Sequence, residues 1–324
     1  VSNGISAIYT KSRFARVVSN HVHDIGITAT NSGADPDQII GINLKGRNRS
    51  VNTAPNAYGQ IANCNTVDNV GTGAIGVGIS CDHLGVGIYS NWIERCGRTG
   101  ISGGEGTNPT AGDCIKVNFN TIIMRANAFA GTDIFTSTGN QQQIGNTIVS
   151  PGAPSIRLRA QGVALKNGLI TLNQLMCTGS IGISMKSDGF DVVDFLVTQN
   201  VLLAGDYGFL ADDDGGHLFT RVSVLDNNFF AAATAAMAGV SLGQCRTRNN
   251  RGYVSENGGM SAAIATGATI AHGLSGTPTV FHVTPTAACT DVYVTADAAN
   301  LTVNFGGGGN VAFSWEAKLA GHYA

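Results

Sequence analysis

The feature that most constrains the fold is a short phrase, asparagine–any residue–apolar residue, that recurs along the chain. From the second copy onward the phrase recurs at intervals of 26, 29, 26, 27, 27, 27 and 23 residues. The first interval, 45 residues, is one period plus an insertion that "GADPDQ" and "KGRNRSVNTAPNAYG" supply. Self-similarity at such a period indicates stacked coils, a solenoid. The phrase starts at Asn20, Asn65, Asn91, Asn120, Asn146, Asn173, Asn200 and Asn227, with a degraded copy at Asn250.

Each period contains short runs in which apolar residues alternate with polar ones. Examples are "IRLRA" (156–160), "SIGISM" (180–185) and "VSVLDNNF" (222–229). Period-two alternation predicts strands, whereas helical stripes and a leucine ladder are absent, which disfavours helical and leucine-rich repeats. We therefore predict an all-β fold: a right-handed parallel β-helix over residues 1–257, with about 26–27 residues per coil. The asparagine is expected to take the left-handed backbone of a tight turn and to stack its amide coil upon coil.

Composition excludes several classes of protein. Charged residues make up 12% of the chain and the formal net charge is -2, so the basic excess of a nucleic-acid-binding protein is missing. No apolar run approaches the roughly 18 residues of a membrane span. The seven cysteines form no Cys-x-x-Cys pair and are expected to be buried free thiols. Because no secretory signal or initiator methionine is present, residue 1 is expected to be an internal point of a longer precursor.

The last part of the chain, 258–324, has a different sequence pattern, without the asparagine phrase. Strict alternation in "TPTVFHVTP" (277–285), "DVYVTA" (291–296), "LTVNF" (301–305) and "VAFSW" (311–315) predicts a small antiparallel β-sandwich. Leu301, Val303 and Phe305 are expected to share one face, and Val311, Phe313 and Trp315 another. A solenoid has an open apolar end, and a domain this small gains stability by oligomerising. The module is therefore expected to cap the solenoid and to join chains.

These repeats resemble those of a known superfamily. The asparagine phrase, together with the "GI" strands at Gly100-Ile101 and Gly182-Ile183, is similar to the pectin-lyase-like β-helix superfamily. That group includes polysaccharide lyases, glycoside hydrolases, epimerases and bacteriophage tailspikes. The resemblance covers roughly residues 1–255 and includes no active-site signature of a particular member. It implies a polysaccharide partner and a protein of the extracellular space or the virion surface.

The C-terminal stretch "ATIAHGLSGTPTVFHVTP" (268–285) carries a second resemblance. It looks like the small β-modules that close phage fibres, tailspike-like proteins and some secreted β-helix enzymes. In such proteins the module caps the solenoid and joins three chains, so the resemblance implies a homotrimer. His272 and His282 fall in this stretch and are expected to have structural or surface roles.

Counting from the asparagines exposes one column of charged residues. Asp133, Arg159, Lys186 and Asp213 each lie thirteen residues after an asparagine, and Glu105 lies fourteen after Asn91. If the coils align, such side chains are about 4.8 Å apart along one ridge. Paired carboxylates could hydrolyse a glycosidic bond, or the two cations could neutralise a uronate and abstract its proton, as a lyase requires. A solvated ladder of salt bridges is the alternative, and a one-residue slip would remove Asp213 first.

Other polar residues near this column are candidates for binding. Asp188, His217 and Tyr207 are candidate substrate contacts, and Asp212 and Asp214 are candidate ligands of a calcium ion, which prefers several oxygen ligands. No other cofactor is expected. A separate group lies three residues after three of the asparagines and would edge a different face. It consists of His23, Asp68 and Glu94, with Arg95 and Arg98 beside them.

Two functions remain open on this reasoning. The first is a polysaccharide-degrading enzyme, a lyase or a glycoside hydrolase, that acts in a groove along the β-helix. The second is a non-catalytic glycan-binding fibre, adhesin or structural spike, which the low charge and the few aromatic residues favour. Convergence of Asp133, Arg159, Lys186 and Glu105 in one groove would support the enzyme. The aromatic candidates in the solenoid are Tyr9, Tyr58, Tyr89, Trp92 and Tyr207.

Overall fold

The computed structural model describes most of the chain. The described residues are 5–10, 14–25, 39–44, 60–71, 76–81, 85–103, 115–126, 128–135, 141–161, 164–213 and 216–319. They form strands and turns, with one short 3-10 helix at Leu242–Gln244. None of the described segments is a helix with the length and apolar character to cross a membrane.

The solenoid is built from short parallel strands that repeat in the same order in each coil. Because the chain returns after about 27 residues, each strand pairs with its equivalents in the coils before and after. In chain order these strands are β1 (Ile5–Thr10), β2 (Arg16–Val18), β3 (His21–Ile25), β4 (Ile39–Leu44), β5 (Ile61–Asn63), β6 (Thr66–Val70), β7 (Gly76–Cys81), β8 (Val86–Tyr89), β9 (Trp92–Glu94), β10 (Thr99–Gly103), β11 (Ile115–Asn118), β12 (Thr121–Ile123), β13 (Ala130–Phe135), β14 (Gln141–Ile144), β15 (Thr147–Val149), β16 (Ile156–Gln161), β17 (Leu165–Thr171), β18 (Gln174–Asp188), β19 (Val192–Thr198), β20 (Val201–Asp213), β21 (Phe219–Thr220), β22 (Ser223–Leu225), β23 (Ala232–Ala238) and β24 (Arg246–Arg248).

Three faces result, which we number in the order the chain visits them. Sheet 1 has the order β1-β4-β7-β10-β13-β16-β18-β20-β23, and sheet 2 has the order β2-β5-β8-β11-β14-β17-β19-β22-β24. Sheet 3 contains β3-β6-β9-β12-β15 and then the first parts of β18 and β20, which run on without a break into sheet 1. The predicted parallel β-solenoid is confirmed.

The repeated asparagines form one continuous ladder between sheets 2 and 3. From Asn20 to Asn227, each donates its backbone N–H and its side-chain Nδ2 to Oδ1 of the next asparagine, at 2.8–3.1 Å. Asn20 bonds directly to Asn65, so the 45-residue interval is a single coil. The two segments predicted to supply its insertion lie outside the described residues. The expected stacking of amides is confirmed.

The prediction that these asparagines have a left-handed backbone conformation is wrong, because the left-handed residue is the one before each asparagine. Positive φ angles occur at the residue before each asparagine, for example 60° at Phe119 and 58° at Leu172. The asparagine directly precedes the next strand and donates its N–H to the ladder, so the positive φ angle of the turn falls on the residue before it. The same angle is found at Ser19, Cys64, Ser90, Gly145, Gln199, Asp226 and Asn249.

Glycines in sheet 1 explain the "GI" pairs. A Cβ on Gly100 would come within 2.4 Å of Ile122 Cγ2, and one on Gly182 within 2.9 Å of Leu202 Cδ1. Branched side chains of sheet 3 therefore fill the interior, and they occupy the space that a Cβ atom at these glycines of sheet 1 would take. Close packing of this kind leaves no room for even one methyl group.

The C-terminal module consists of two three-stranded antiparallel sheets. Their strands are β25 (Glu256–Met260), β26 (Ala268–Ala271), β27 (Val280–Pro285), β28 (Thr290–Ala296), β29 (Asn300–Gly306) and β30 (Phe313–Lys318), in the orders β25-β30-β27 and β26-β29-β28. Sequence alternation identified β27 to β30 but not β25 or β26. The glycines of 306–309 carry the chain from one sheet to the other, and Gly307, Gly308 and Gly309 have positive φ angles.

The two predicted faces of this module are confirmed, because all six residues named for them are at most 8% exposed and pack together. Tyr253 packs against both this core and the solenoid core. The division at 257/258, the capping role and the trimer remain predictions. His272 is fully buried: its Nδ1 accepts the Leu274 N–H and its Nε2 lies 3.1 Å from the Asp297 carbonyl oxygen, so its role is structural. His282 is exposed.

The cysteines are mostly buried thiols, as expected. Burial raises the pKa of the Cys96 and Cys245 thiols to about 12 and that of Cys177 to about 11. The expectation is wrong for Cys64, which is exposed in the turn before Asn65, and Cys114 lies outside the described residues.

Candidate functional site

The predicted charged column lies on the outward face of sheet 1, but its members are not all level. Strand pairing aligns Arg159 on β16 with Lys186 on β18 and Asp212 on β20. Asp133 on β13 is level with Arg157, two residues before Arg159. The thirteen-residue count is therefore correct for the pair Arg159 and Lys186, and Asp133 belongs to the neighbouring row of the same face.

Asp213 is displaced from the column by one residue. It is level with Ser187, because β20 is out of step with β18 in two places, between Leu175 and Met176 and between Cys177 and Ile181. Its carboxylate accepts hydrogen bonds from Ser187 Oγ at 2.8 Å and from the backbone N–H groups of Gly216 and His217. Asp213 thus holds the turn that follows β20.

Asp133 forms a buried ion pair with Arg159 across one coil. Its Oδ2 lies 3.0 Å from Nη2 of Arg159 and its Oδ1 lies 3.3 Å from Nε, so the contact is bidentate. The side chains are 4% and 15% exposed. Both carboxylate oxygens therefore accept from the same guanidinium, which fixes the direction of Arg159.

Three arginines surround a half-exposed aromatic ring beside this pair. The guanidinium carbon of Arg157 lies 4.3 Å from the Phe129 ring centre, that of Arg98 lies 5.5 Å away and that of Arg159 5.8 Å away. Phe129 is 37% exposed. Burial, and then the like charge of Arg159, lowers the pKa of Arg157, while Asp133 and Asp188 oppose that shift. We refer to Phe129, Arg98, Arg157, Arg159 and Asp133 as the arginine cluster.

Sequence reasoning missed the centre of this cluster. Arg157 is the alternate outward position of "IRLRA", two residues from the predicted Arg159, so the period-two pattern does contain a signal for it. Phe129 lies in the corner between sheets 3 and 1, outside any alternating run, and the spacing of the repeat gives no signal for it. The sequence places Arg98 beside the second charged group, that of His23, Asp68 and Glu94, and gives no sign of its contact with Phe129.

The remaining predicted contacts are distributed around the end of this face. Asp188 pairs in register with Gln161 at the end of β16 and contributes to the field at Arg157. His217 stacks on Phe190, with ring centres 6.4 Å apart, and its Nδ1 is 3.7 Å from Asp191. Tyr207 is level with Ile181, in the middle of β20 and five residues before Asp212.

Three predicted residues lie outside the described part of the chain: Glu105, Asp214 and the aromatic candidate Tyr58. The calcium site at Asp212 and Asp214 therefore remains a prediction. Asp212 Oδ1 accepts the backbone N–H of Asp213. Within the described ranges, no group of three or more His, Cys, Asp or Glu side chains is arranged to hold a metal ion.

The second charged group lies where sheet 3 approaches sheet 1. His23, Asp68 and Glu94 are level on β3, β6 and β9, as predicted. The guanidinium of Arg95 is bidentate on Asp68, and its Nε lies 3.7 Å from Glu94. Arg125, not anticipated from the sequence, donates to the Arg95 carbonyl and to the Asn69 side chain. The Arg95 side chain is 56% exposed, whereas those of Asp68 and Glu94 are 16% and 30% exposed.

Comparison with known proteins gives few relatives. No family model and no curated protein matches the chain. Two solved structures are similar to it: the tailspike protein gp49 of Pseudomonas phage LKA1 and the tailspike gp61 of Pseudomonas phage phi297. Both comparisons cover 98% of this chain, with 67% and 63% of the other chain, identities of 12% and 10%, and TM-scores of 0.44 and 0.37. At these scores the assignment of the fold rests on the strand pairing described above.

Proposed function

We propose that this chain is a polysaccharide-binding β-solenoid of the extracellular space or the virion surface, and that the arginine cluster binds an acidic glycan. The observation that carries the proposal is the grouping of three guanidinium groups within 4.3–5.8 Å of one half-exposed ring. A planar guanidinium matches the geometry of a carboxylate, and an aromatic face suits the apolar face of a sugar ring.

The balance of charge in the cluster favours an anionic ligand. Asp133 is engaged by Arg159, whereas Arg157 makes no hydrogen bond or ion pair with another described residue. Arg157 is partly removed from water and close to a like charge, and both effects lower its pKa. A uronate carboxylate beside Arg157 would offset both effects.

Cleavage of the bound chain is a second candidate, and the alignment of Arg159 with Lys186 favours it. In a β-elimination, one cation neutralises the uronate carboxylate while a base takes the proton from C5. The C4–O bond then breaks, the leaving sugar takes up a proton, and a C4=C5 double bond remains. Arg159 and Lys186 are candidates for these two roles.

Hydrolysis by paired carboxylates is supported less well by the geometry. Both oxygens of Asp133 accept from Arg159, and Asp213 accepts three hydrogen bonds from its own turn and from Ser187. A general acid needs a proton on one oxygen and access to the glycosidic oxygen. Elimination is therefore the form of cleavage that we propose to test first.

Binding is tested with oligogalacturonate hexasaccharide as the acidic probe and a neutral glucan hexasaccharide as its control. Arg157→Ala is expected to weaken binding of the acidic probe at least about tenfold, with affinity that falls as salt rises. Arg246→Ala, at an exposed arginine of β24, is the matched control and should leave the affinity unchanged. Equal affinity for both probes, or no effect of Arg157→Ala, would contradict the proposal.

Cleavage is tested separately on acidic and neutral polysaccharides by following reducing ends together with the ultraviolet absorbance of the unsaturated uronate. Both signals together, lost in Lys186→Ala with binding retained, would support the elimination. Reducing ends without the absorbance would indicate hydrolysis. Binding without either signal would assign the chain a purely glycan-binding role.

A further inference from the structure

We infer that Trp92 forms a second saccharide subsite, on the outward face of sheet 3, for an uncharged pyranose ring. Trp92 lies on β9 and its side chain is 45% exposed. An exposed indole offers an apolar face on which a sugar ring can stack and a polar N–H at its edge. The inference concerns a different sheet from the arginine cluster and stands independently of it.

Hydroxyl groups flank the indole ring on both sides. Strand pairing aligns Trp92 with Thr66 on β6 and with Thr121 on β12, and the same outward row continues to Thr147 on β15. Neighbours in such a row are about 4.8 Å apart. Threonine hydroxyls both donate and accept, which suits the equatorial hydroxyls of a sugar stacked on the ring between them.

The ring is held in place before a ligand arrives. Its Nε1–H donates to Oε2 of Glu94, two residues further along the same strand face, at 2.8 Å. Because this bond restricts the rotation of the indole, a stacked sugar does not have to order it, and the entropic cost of binding falls. A carboxylate has about four acceptor sites, so Glu94 can still accept a bond from a sugar hydroxyl.

The charges of this face favour a neutral sugar over an acidic one. Arg95 is bidentate on Asp68 and its Nε lies 3.7 Å from Glu94, so these two carboxylates share one cation and the three side chains keep a net negative charge. A uronate stacked on Trp92 would bring a like charge next to Glu94. The arginine cluster has the opposite character, so the two sites differ in the sugar residue they accept.

A single glycan could reach both sites. Trp92 and Arg98 are six residues apart in one coil, so even a fully extended chain separates them by no more than about 20 Å. A polysaccharide with neutral and acidic residues would then bind at two points, which raises its apparent affinity without a new contact.

The test uses the full chain and its own fluorescence. Trp92 and Trp315 are the two tryptophans of the chain, and Trp315 is only 8% exposed, so acrylamide quenches mainly Trp92. Titration with neutral hexasaccharides of glucose, galactose and mannose is expected to protect Trp92 from quenching for at least one of them. Because the variants lack this fluorophore, their affinities are compared with that of the unmodified chain by isothermal titration calorimetry. Trp92→Ala should weaken that binding at least about tenfold, and Trp92→Phe, which keeps a ring, by no more than about threefold.

Two controls separate this inference from its alternatives. Tyr293→Ala removes a ring on β28 that is even more exposed, at 61%, and should leave the affinity unchanged. The neutral hexasaccharides carry no carboxylate, so loss of acidic binding at the arginine cluster alone does not bear on Trp92. The inference is overturned if no neutral hexasaccharide protects Trp92, or if Trp92→Ala retains full affinity. It is also overturned if that variant changes only self-association in sedimentation, because the face would then join copies of the chain.

Discussion

Two corners of the same coils turn the chain by different chemistry. The ladder corner, between sheets 2 and 3, repeats one neutral side chain in every coil, and each amide bonds to the next. The charged corner, between sheets 3 and 1, comprises the segments 95–98 and 125–129 and holds arginines whose partners differ from coil to coil. At the ladder corner, the polar groups of the side chains are paired with other groups of the chain. At the charged corner, arginine side chains and an aromatic ring face outward.

This difference indicates how the solenoid divides stability from binding. Buried amides that are fully paired specify the stacking and leave no capacity for a ligand. Charged side chains near the surface contribute little to stability, so they can vary between coils without loss of the fold. Ligand recognition is accordingly expected at the charged corner and on the two sheets that meet there.

The largest expected difference between the two corners is the rate at which their cysteine thiols react with an alkylating reagent. Cys64 lies in the ladder corner and is exposed, whereas Cys96 lies in the charged corner, is fully buried and has a pKa raised to about 12. At pH 8, a thiol of this pKa is ionised in only about one molecule in 10⁴. We expect iodoacetamide to modify Cys64 within minutes and Cys96 only on unfolding, with a rate for Cys96 at least about 10³-fold lower.

Peptide mapping by mass spectrometry measures both rates in one sample. Cys245, equally buried, serves as an internal control and should follow Cys96. Modification of Cys96 at the rate of Cys64 in the native protein would mean that the charged corner opens locally. The contrast drawn between the two corners would then be incorrect.

The ladder corner should be the more sensitive to mutation. Asn173→Ala removes the acceptor of the Asn146 amide and the donor to Asn200 and to the Gln143 carbonyl, all inside the protein. Since several buried polar groups lose partners together, we expect a loss of about 3–5 kcal/mol in the free energy of unfolding. The midpoint of urea unfolding measures it.

Gln174→Ala is the matched control, because it deletes an amide from the adjacent, exposed residue of the same coil. We expect less than about 0.5 kcal/mol there. Equal losses in the two variants would show that the ladder is no more important than any surface amide.

The difference between the two corners also explains which features of the structure could be predicted from the sequence. The ladder corresponds to an asparagine that recurs in the sequence, so the spacing of this residue was enough to predict the coils. In the C-terminal module, the alternation of apolar and polar residues predicted β27 to β30. Asp213 failed to align because β20 is irregular against β18, and such irregularities leave no mark in the spacing of asparagines. Phe129 meets its arginines only through the folding of a corner, which no periodic pattern describes.

At the charged corner, the buried pair is expected to be the most sensitive element. Asp133→Ala leaves Arg159 and Arg157 close together with no carboxylate between them. We expect a loss of about 2–3 kcal/mol, less than for the ladder because Arg159 keeps 15% exposure to water. Asp68→Ala breaks the pair with Arg95, whose side chain is 56% exposed, so it should shift the urea midpoint less, and a larger shift there would contradict this ranking.

The smallest effect should come from the residue that precedes an asparagine. Leu172 has a φ of 58°, a conformation that costs a residue with a Cβ, and its side chain is 55% exposed. Leu172→Gly relieves that strain, and the equivalent turn of the preceding coil already has Gly145. Because the glycine also makes the unfolded chain more flexible, we expect a net gain of at most about 0.5 kcal/mol. Leu203→Gly, at a similarly exposed leucine within β20, should instead lose about 0.5–1 kcal/mol, since glycine weakens a strand. If Leu172→Gly lost as much as Leu203→Gly in urea unfolding, the turn would tolerate its left-handed residue without strain, and the ladder would stand alone as the determinant of that corner.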